Sequence, residues 1–364
     1  MISEYLKSVL QCPACRAQAN GGTPKLEPDD EGMRCPSCGR LFPALAERGY
    51  LDLRPPAGTF ESLTEYAEDA FLYRTDAIRP LFLSARIKMD MMLKMLGPSS
   101  NDRILDIGCG NGRFLYFTRP SCGQLVGIDA GAHFAPEPMA TVDLARGDIR
   151  LLPFEDASFD KAYSLDVLEH LDEEGVDAML AEARRVLRSG GKLFLYSHVM
   201  MSSRLAAFQR GVNKTVRWLD KRGLVDNAPE RERKSDHQNV LRSYEQLDDV
   251  LVRAGFRIAG IRYYNVVFKA IFEDLMLPLV EHNFFGGAKK REDREKAPHH
   301  NGDIRDGDIH DGDIHDGHDH VSTKPEVGRW VHAPLLVASQ LMKLDVMLFG
   351  RVRTGPFFLL LEAV

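Results

Sequence analysis

The sequence predicts an α/β protein with an open, mostly parallel sheet, a ligand at the carboxyl ends of the strands, and a small cysteine-rich module in front. Three observations carry this. A short apolar run, Ile104, Leu105 and Ile107, leads into three alternating glycines, Gly108, Gly110 and Gly112. A second apolar run, Leu125 to Ile128, ends in Asp129. Four of the six cysteines form two Cys-x-x-Cys pairs near the N-terminus.

Apolar runs of this kind are expected of strands buried on both faces. Glycines at every second position let the backbone turn sharply and leave no side chain between loop and ligand. Arg113 to Thr118 then reads as a helix, whose first N–H groups point outward at the loop. Asp129, at the tip of the second strand, is placed to accept both hydroxyls of a ribose. Dinucleotide-binding units also use a glycine loop, but their fingerprint wants Gly or Ala where this chain has Arg113.

The pattern D-x-G-x-G-x-G over Asp106 to Gly112 resembles the first motif of class I S-adenosylmethionine-dependent methyltransferases, of the methyltransferase type 11-like kind. Downstream residues agree. Gly147-Asp148-Ile149 follows a third expected strand, Thr141 to Arg146, where that family places an acidic residue on the adenine amino group. KAYSLDVLEHL looks like the fourth strand and its exit, and LRSGGKLFLYSH, Leu187 to His198, like the turn and fifth strand. The likeness covers roughly 86–198, resumes over 237–265 and returns at the C-terminus. It implies a Rossmann-like, seven-stranded, mostly parallel sheet. It also implies S-adenosyl-L-methionine as cofactor, held by Asp106, Gly108, Gly110, Gly112, Asp129, Asp148, Ile149 and Leu165. A doubly wound domain binding another nucleoside is the competing reading.

In this family the exit of the fourth strand faces cofactor and substrate, which makes Asp166 and His170 candidates for acid–base chemistry. With Glu169 they also resemble the metal-holding E-x-x-E-H cluster of ubiquinone-type O-methyltransferases, with Asp for Glu at the first position. Oxygen ligands plus one imidazole would suit magnesium or manganese. In many relatives the same Glu and His only tie down the loop, so structural, catalytic and metal readings all stand. His237, before the helix–strand pair SYEQLDDVLVRAGFRIAGI, is the third catalytic candidate.

Cys12-x-x-Cys15 and Cys35-x-x-Cys38 have the spacing of a four-thiolate zinc site, with Pro13, Pro36 and Gly39 suited to the knuckle turns. Disulfides compete with this reading, but nothing suggests an oxidising compartment. Four protein ligands leave no open position, so the Zn²⁺ is expected to be structural. The region resembles the Trm112-like zinc ribbons that occur alone as methyltransferase activators or fused ahead of methyltransferases.

Two expected helices follow the Pro55-Pro56 linker, about Glu61 to Tyr73 and Ala77 to Leu96. Tyr66, Phe71, Leu72 and Tyr73 either cap the cofactor pocket or pack in the core. An insertion, 199–239, carries Arg204, Arg210, Lys214, Arg217, Lys221 and Arg222 among apolar residues. That is a basic amphipathic helix, either a solvated face or a contact to an anionic substrate or a membrane surface. A second insertion contains GDIRD-GDIHD-GDIHD-GHDH, a five-residue period that fits neither helix nor strand and predicts a disordered spacer. Six of the twelve histidines lie in or beside it and could bind divalent metal loosely.

The expected domains are therefore a zinc ribbon over 1–54 and a catalytic core over 55–268. A helical cap over 269–343 contains the repeat at 299–323, and a final helix and strand over 344–364 complete the core. A net charge of −6 argues against a broad nucleic-acid surface. The polar start argues against a signal peptide, and no apolar run is long enough to span a bilayer. The cytoplasm is the expected compartment. Oligomeric state is not legible. The expected activity is methyl transfer to an O or N nucleophile of a small-molecule or lipid-linked substrate. One alternative is an rRNA or tRNA methyltransferase gripping RNA with the ribbon, since Gly49-Tyr50-Leu51-Asp52-Leu53-Arg54-Pro55 resembles the opening of large-subunit rRNA guanine methyltransferases. Another is a non-catalytic binding protein that keeps the fold.

Overall fold

The computed structural model describes residues 2–18, 22–45, 49–56, 78, 80–131, 133–199, 204–225, 237–238, 240–264, 267–276, 279 and 329–364. Buried apolar runs give the inner strands β5 (Arg103–Ile107), β6 (Gln124–Asp129), β7 (Asp143–Arg146), β8 (Phe159–Leu165) and β9 (Leu187–His198). These pair parallel in the order β7-β6-β5-β8-β9. The C-terminal strand β11 (Pro356–Ala363) lies antiparallel between β9 and the edge strand β10 (Phe256–Tyr263). The chain thus leaves β5 in opposite directions across the sheet, and the ends of β5 and its neighbours form the crevice where such sheets take ligands.

The expected count of seven strands needs correction. The N-terminal strands β1 (Glu27–Asp29), β2 (Gly32–Arg34), β3 (Leu41–Leu45) and β4 (Tyr50–Asp52) continue the same sheet, making eleven among the described residues. The join is at β4, which pairs parallel with β7 through Leu51↔Ala145 and Asp52↔Arg146. Helix α1 (Glu4–Val9) strengthens it. Its N-cap Ser3 is bonded to the buried Asp143, and the segment after it donates from Gln11 N to Pro153 O at 3.0 Å. Short helix α2 (Pro13–Arg16) ends in Arg16, which pairs with Glu182 at 2.8 Å, both side chains largely buried. Leu6, Leu10, Phe42 and Leu51 share one core with Val126, Phe154, Phe159 and Leu187. The ribbon is an edge of the catalytic sheet, not a tethered bead.

Helix α3 (Leu83–Leu96) begins six residues later than its periodicity predicts, because Pro80 has no N–H to give and its preceding residue disfavours the helical region. It ends where Gly97 adopts the left-handed conformation. Short helices α4 (Arg113–Thr118) and α5 (Pro136–Met139) flank the glycine loop. Helix α6 (Glu173–Val186) is capped by the Asp172 carboxylate, carries Glu173 and Glu174 in its first turn and Arg184 and Arg185 in its last, and buries Val176, Met179, Leu180 and Ala183.

The remaining helices are α7 (Arg204–Lys221), α8 (Tyr244–Arg253), α9 (Val267–Lys269) with a π turn over Ala270–Met276, and α10 (Arg329–Phe349); α8 shares its core with α6. Helix α10 packs on α3, where Ser339 Oγ accepts the Leu83 N–H at 2.7 Å. It runs unbroken through 343–344, so the expected boundary between cap and core does not fall there. The buried Asp345 carboxylate accepts from Phe268 N at 2.9 Å and Lys269 N at 3.3 Å, fixing α9 to α10. The expected helix at 61–73 and the repeat at 299–323 lie outside the described residues. Among those described, no helix is long and apolar enough to cross a membrane.

Candidate active site and zinc centre

The glycine loop leaves β5 at the centre of the crevice. Gly108, Gly110 and Gly112 all have positive φ, at 78°, 55° and 82°. Gly108 shows why a side chain is excluded. A Cβ there would lie 2.4 Å from Val167 Cγ2, so the loop and the β8 exit touch backbone to side chain. Two N–H groups, of Gly108 and Cys109, donate to Ile128 O at 2.9 and 3.1 Å and pin the loop to β6.

Asp129 completes the loop rather than waiting at its rim. Its Oδ2 accepts the Gly110 N–H at 2.7 Å and its Oδ1 the Gly131 N–H at 2.9 Å. Burial pushes its carboxyl up, and these two N–H groups hold it back. Asp106 is buried at the end of β5, and its carboxyl is pushed well up by burial, with the Tyr163 hydroxyl opposing. Asp148 sits past the end of β7, both oxygens accepting from Arg150 at 2.8 and 3.0 Å. Ile149 and Leu165 are buried beside it and at the end of β8.

Asp166 has a φ of 56°, a left-handed value that costs a non-glycine residue about 1–2 kcal/mol. Its N–H still donates to Tyr196 O at 3.0 Å, so the kink turns only the side chain out of the strand. That carboxylate pairs with Lys88 of α3, whose Nζ also lies 4.4 Å from the Tyr196 ring centre. Glu169 goes the other way, into the protein, where its Oε2 accepts from Ser197 Oγ at 2.7 Å. Burial first, and Asp166 second, push its carboxyl up to about 7.

His170 and His237 come together although far apart in sequence, ring centres 4.7 Å apart and edge to face. The Gln238 N–H, donated to Glu169 O at 2.8 Å, delivers the second of them. His198 joins from the end of β9, with its ring 5.9 Å from His237 and its Nδ1 3.9 Å from Glu169. Sequence reasoning missed His198 and Lys88. The first ends an apolar strand, and period-2 alternation puts it on the face of Tyr196, a usable signal. A lone lysine on a helix gives none.

Among the described residues, only the four ribbon cysteines converge as metal ligands. Asp166, Glu169 and His170, for which the sequence leaves structural, catalytic and metal readings open, are not among those ligands here: Lys88 pairs with the Asp166 carboxylate and Ser197 Oγ donates to that of Glu169. Cys12 and Cys38 sulfurs are 3.7 Å apart, as are those of Cys15 and Cys35. All four lie within 4.8 Å of one another and are not disulfide-bonded. At a Zn–S bond of ~2.3 Å, a tetrahedral edge is about 3.8 Å, so these thiols fit zinc. In each knuckle the last Cys N–H, of Cys15 or Cys38, points at the first sulfur at 3.4 Å, as a thiolate would require.

A parallel sheet with a reversed strand order, a glycine loop closed by an acid at the second strand tip, and polar groups at the fourth define a Rossmann-like nucleoside-binding domain. Residues 105–195 match the family described as "Methyltransferase domain", and this part of the chain is a class I S-adenosylmethionine-dependent methyltransferase domain. Two curated relatives illustrate the likeness. An uncharacterized 37.1 kDa protein in a Streptomyces fradiae transposon is 38% identical over 122 residues, 31% of this chain and 34% of that protein. The 27-O-demethylrifamycin SV methyltransferase of Amycolatopsis mediterranei is 32% identical over 124 residues, 31% of this chain and 45% of that protein. The chain thus spans less than half the length of these relatives. Among solved structures, phosphoethanolamine N-methyltransferase 2 of Haemonchus contortus, in complex with S-adenosyl-L-methionine, is 18% identical with a TM-score of 0.43, covering 83% of this chain and 58% of that one.

Proposed function

We propose that this chain transfers a methyl group from S-adenosyl-L-methionine to an O or N nucleophile of a small-molecule or lipid-linked acceptor. One observation supports the reading above others. The loop closed by Asp129 and the group Glu169, His170, His198 and His237 meet at one end of adjacent strands, close enough for His170 to act electrostatically on Asp129. The positive-φ glycine loop at the end of β5, with no side chain at Gly108, Gly110 or Gly112 to stand between backbone and ligand, fits the cofactor. Asp106, Gly108, Gly110, Gly112, Asp129, Asp148, Ile149 and Leu165 would hold it. When bound, it supplies a methyl group already activated by the sulfonium. The residues present then need to align an acceptor and take its proton.

His170 and His237 are the proton acceptors for a hydroxyl nucleophile, and a neutral amine needs them less. Glu169 stands behind His198, fixed by Ser197, and orders the polar wall. Asp166, held by Lys88, presents an exposed carboxylate at the same edge, available to orient an acceptor hydroxyl. One matched relative is named for a rifamycin acceptor, a small molecule, which agrees with the acceptor class. The test is a labelled methyl donor offered in parallel to small-molecule, lipid and RNA extracts. Label in the first or second fraction supports the reading, and label confined to RNA overturns its acceptor class.

A further inference from the structure

Helix α7 carries a face that the site above does not use. Its inner side is apolar, with Val216 buried and Val212 and Leu219 half-buried, and it packs against the π turn after α9. On the opposite side Arg210, Lys214, Arg217 and Lys221 recur at i, i+4, i+7 and i+11, one stripe along about 16 Å of helix. All four are exposed, and none is ion-paired to a carboxylate among the described residues. Beside the stripe Trp218 is 49% exposed, its ring stacked under the Arg222 guanidinium at 3.9 Å, and Leu224 follows at 47%. The only acid of the helix, Asp220, lies off the stripe.

The chain as a whole carries −6, so this concentration of positive charge is local. An anionic surface attracts α7 and repels the rest, which fixes an orientation as well as an affinity. Exposed tryptophan and leucine next to the cations distinguish a lipid surface from a simple polyanion. An aromatic ring sits at the headgroup level, and a leucine gains by entering the acyl boundary. A nucleic acid would instead be met by a broadly basic face, which an acidic chain lacks. We propose that α7 docks this protein on an anionic lipid surface, the Arg210–Lys214–Arg217–Lys221 stripe on the phosphates and Trp218 with Leu224 below them. This does not depend on which group the domain methylates.

The full-length protein is sedimented with vesicles of phosphatidylcholine alone and of phosphatidylcholine containing phosphatidylglycerol. Binding is expected only to the second, and is expected to fall as salt rises from about 0.05 to 0.5 M. Each cation near such a surface is worth about fivefold, so K214E/R217E should lower partitioning at least ~25-fold. Trp218→Ala should weaken binding and leave its salt dependence unchanged. The substituted side chains face solvent, so melting temperature and S-adenosylhomocysteine affinity should stay at wild-type values. That second readout separates failure here from failure of the methyltransferase reading. Equal binding to both vesicles, no binding at low salt, or wild-type partitioning by K214E/R217E overturns the proposal. So does transfer RNA displacing the vesicles by binding the same stripe more tightly.

Discussion

Replacing Asp129 by alanine removes the acceptor that closes the glycine loop onto β6. The carboxylate takes the Gly110 N–H at 2.7 Å and the Gly131 N–H at 2.9 Å, one on each oxygen. Hydrogen bonds to a charged acceptor contribute about 1.5–3 kcal/mol each, so the gross loss is about 3–6 kcal/mol. Burial works against this: it raises the Asp129 carboxyl, so the charged form already bears a desolvation cost. The net loss is then about 2–3 kcal/mol. A loop without its anchor must be ordered by the ligand, and S-adenosylhomocysteine affinity should fall by up to about 30- to 150-fold by calorimetry. The ligand-free melting temperature should fall by about 4–12 °C, at ~2–4 °C per kcal/mol for a domain of this size. Asp129→Asn keeps the volume but offers an N–H₂ where an acceptor is needed, and should be nearly as damaging. Unchanged affinity in both variants would refute the assigned role of this residue.

Two further outcomes follow from the same structure. Cys35→Ser should lose one zinc per chain and, because β4 is joined to β7, lower the melting temperature of the whole chain rather than of its N-terminus alone. Metal analysis after a purification without histidine-affinity chromatography checks this, and a zinc-free variant melting like wild type would contradict it. Asp345 is pushed up to about 6 by burial, with the Phe268 and Lys269 N–H groups opposing. A folded-state value above the unfolded one, near ~4, means that folding takes up a proton between them, so stability contributed by this residue falls as pH rises from about 4 to about 6. Asp345→Asn should flatten that fall, by about 1 kcal/mol once solvent screening is allowed for, as read by urea unfolding at both pH values. An identical pH slope in the two proteins would show that Asp345 is not its source.

Much of the site was legible because its chemistry is local. Asp106 to Gly112 and Asp129 belong to strand ends and tight turns, whose residue types are dictated by backbone geometry. The cysteine pairs were legible for the same reason: each knuckle is four residues long. Long-range assembly was not. Nothing in Tyr50-Leu51-Asp52 says that it pairs with Ala145 and Arg146, which is why the ribbon read as a separate module. The break at Pro80 near the start of the expected helix was legible, but the residue at which regular helix resumes, Leu83, was not. Lys88 reaches the site only through the α3 packing, with no spacing in the sequence to link it to Asp166, while His198 was signalled only by its alternation with Tyr196 on β9. The carboxylates of DVLEHL left structural, catalytic and ion-binding readings open because residue type alone does not say where a side chain turns; in the structure Asp166 meets Lys88 and Glu169 meets Ser197.

The central claim is that one crevice binds the methyl donor at the glycine loop and removes the acceptor's proton at the paired histidines. The most direct test measures methyl transfer to the acceptor fraction and S-adenosylhomocysteine affinity together, in wild type and in the His170→Ala/His237→Ala double variant. General base catalysis is worth about 10²–10⁴ in rate, so label transfer to a hydroxyl acceptor should drop at least ~100-fold while affinity stays within about twofold. Wild-type transfer by the double variant, with affinity intact, would contradict the account.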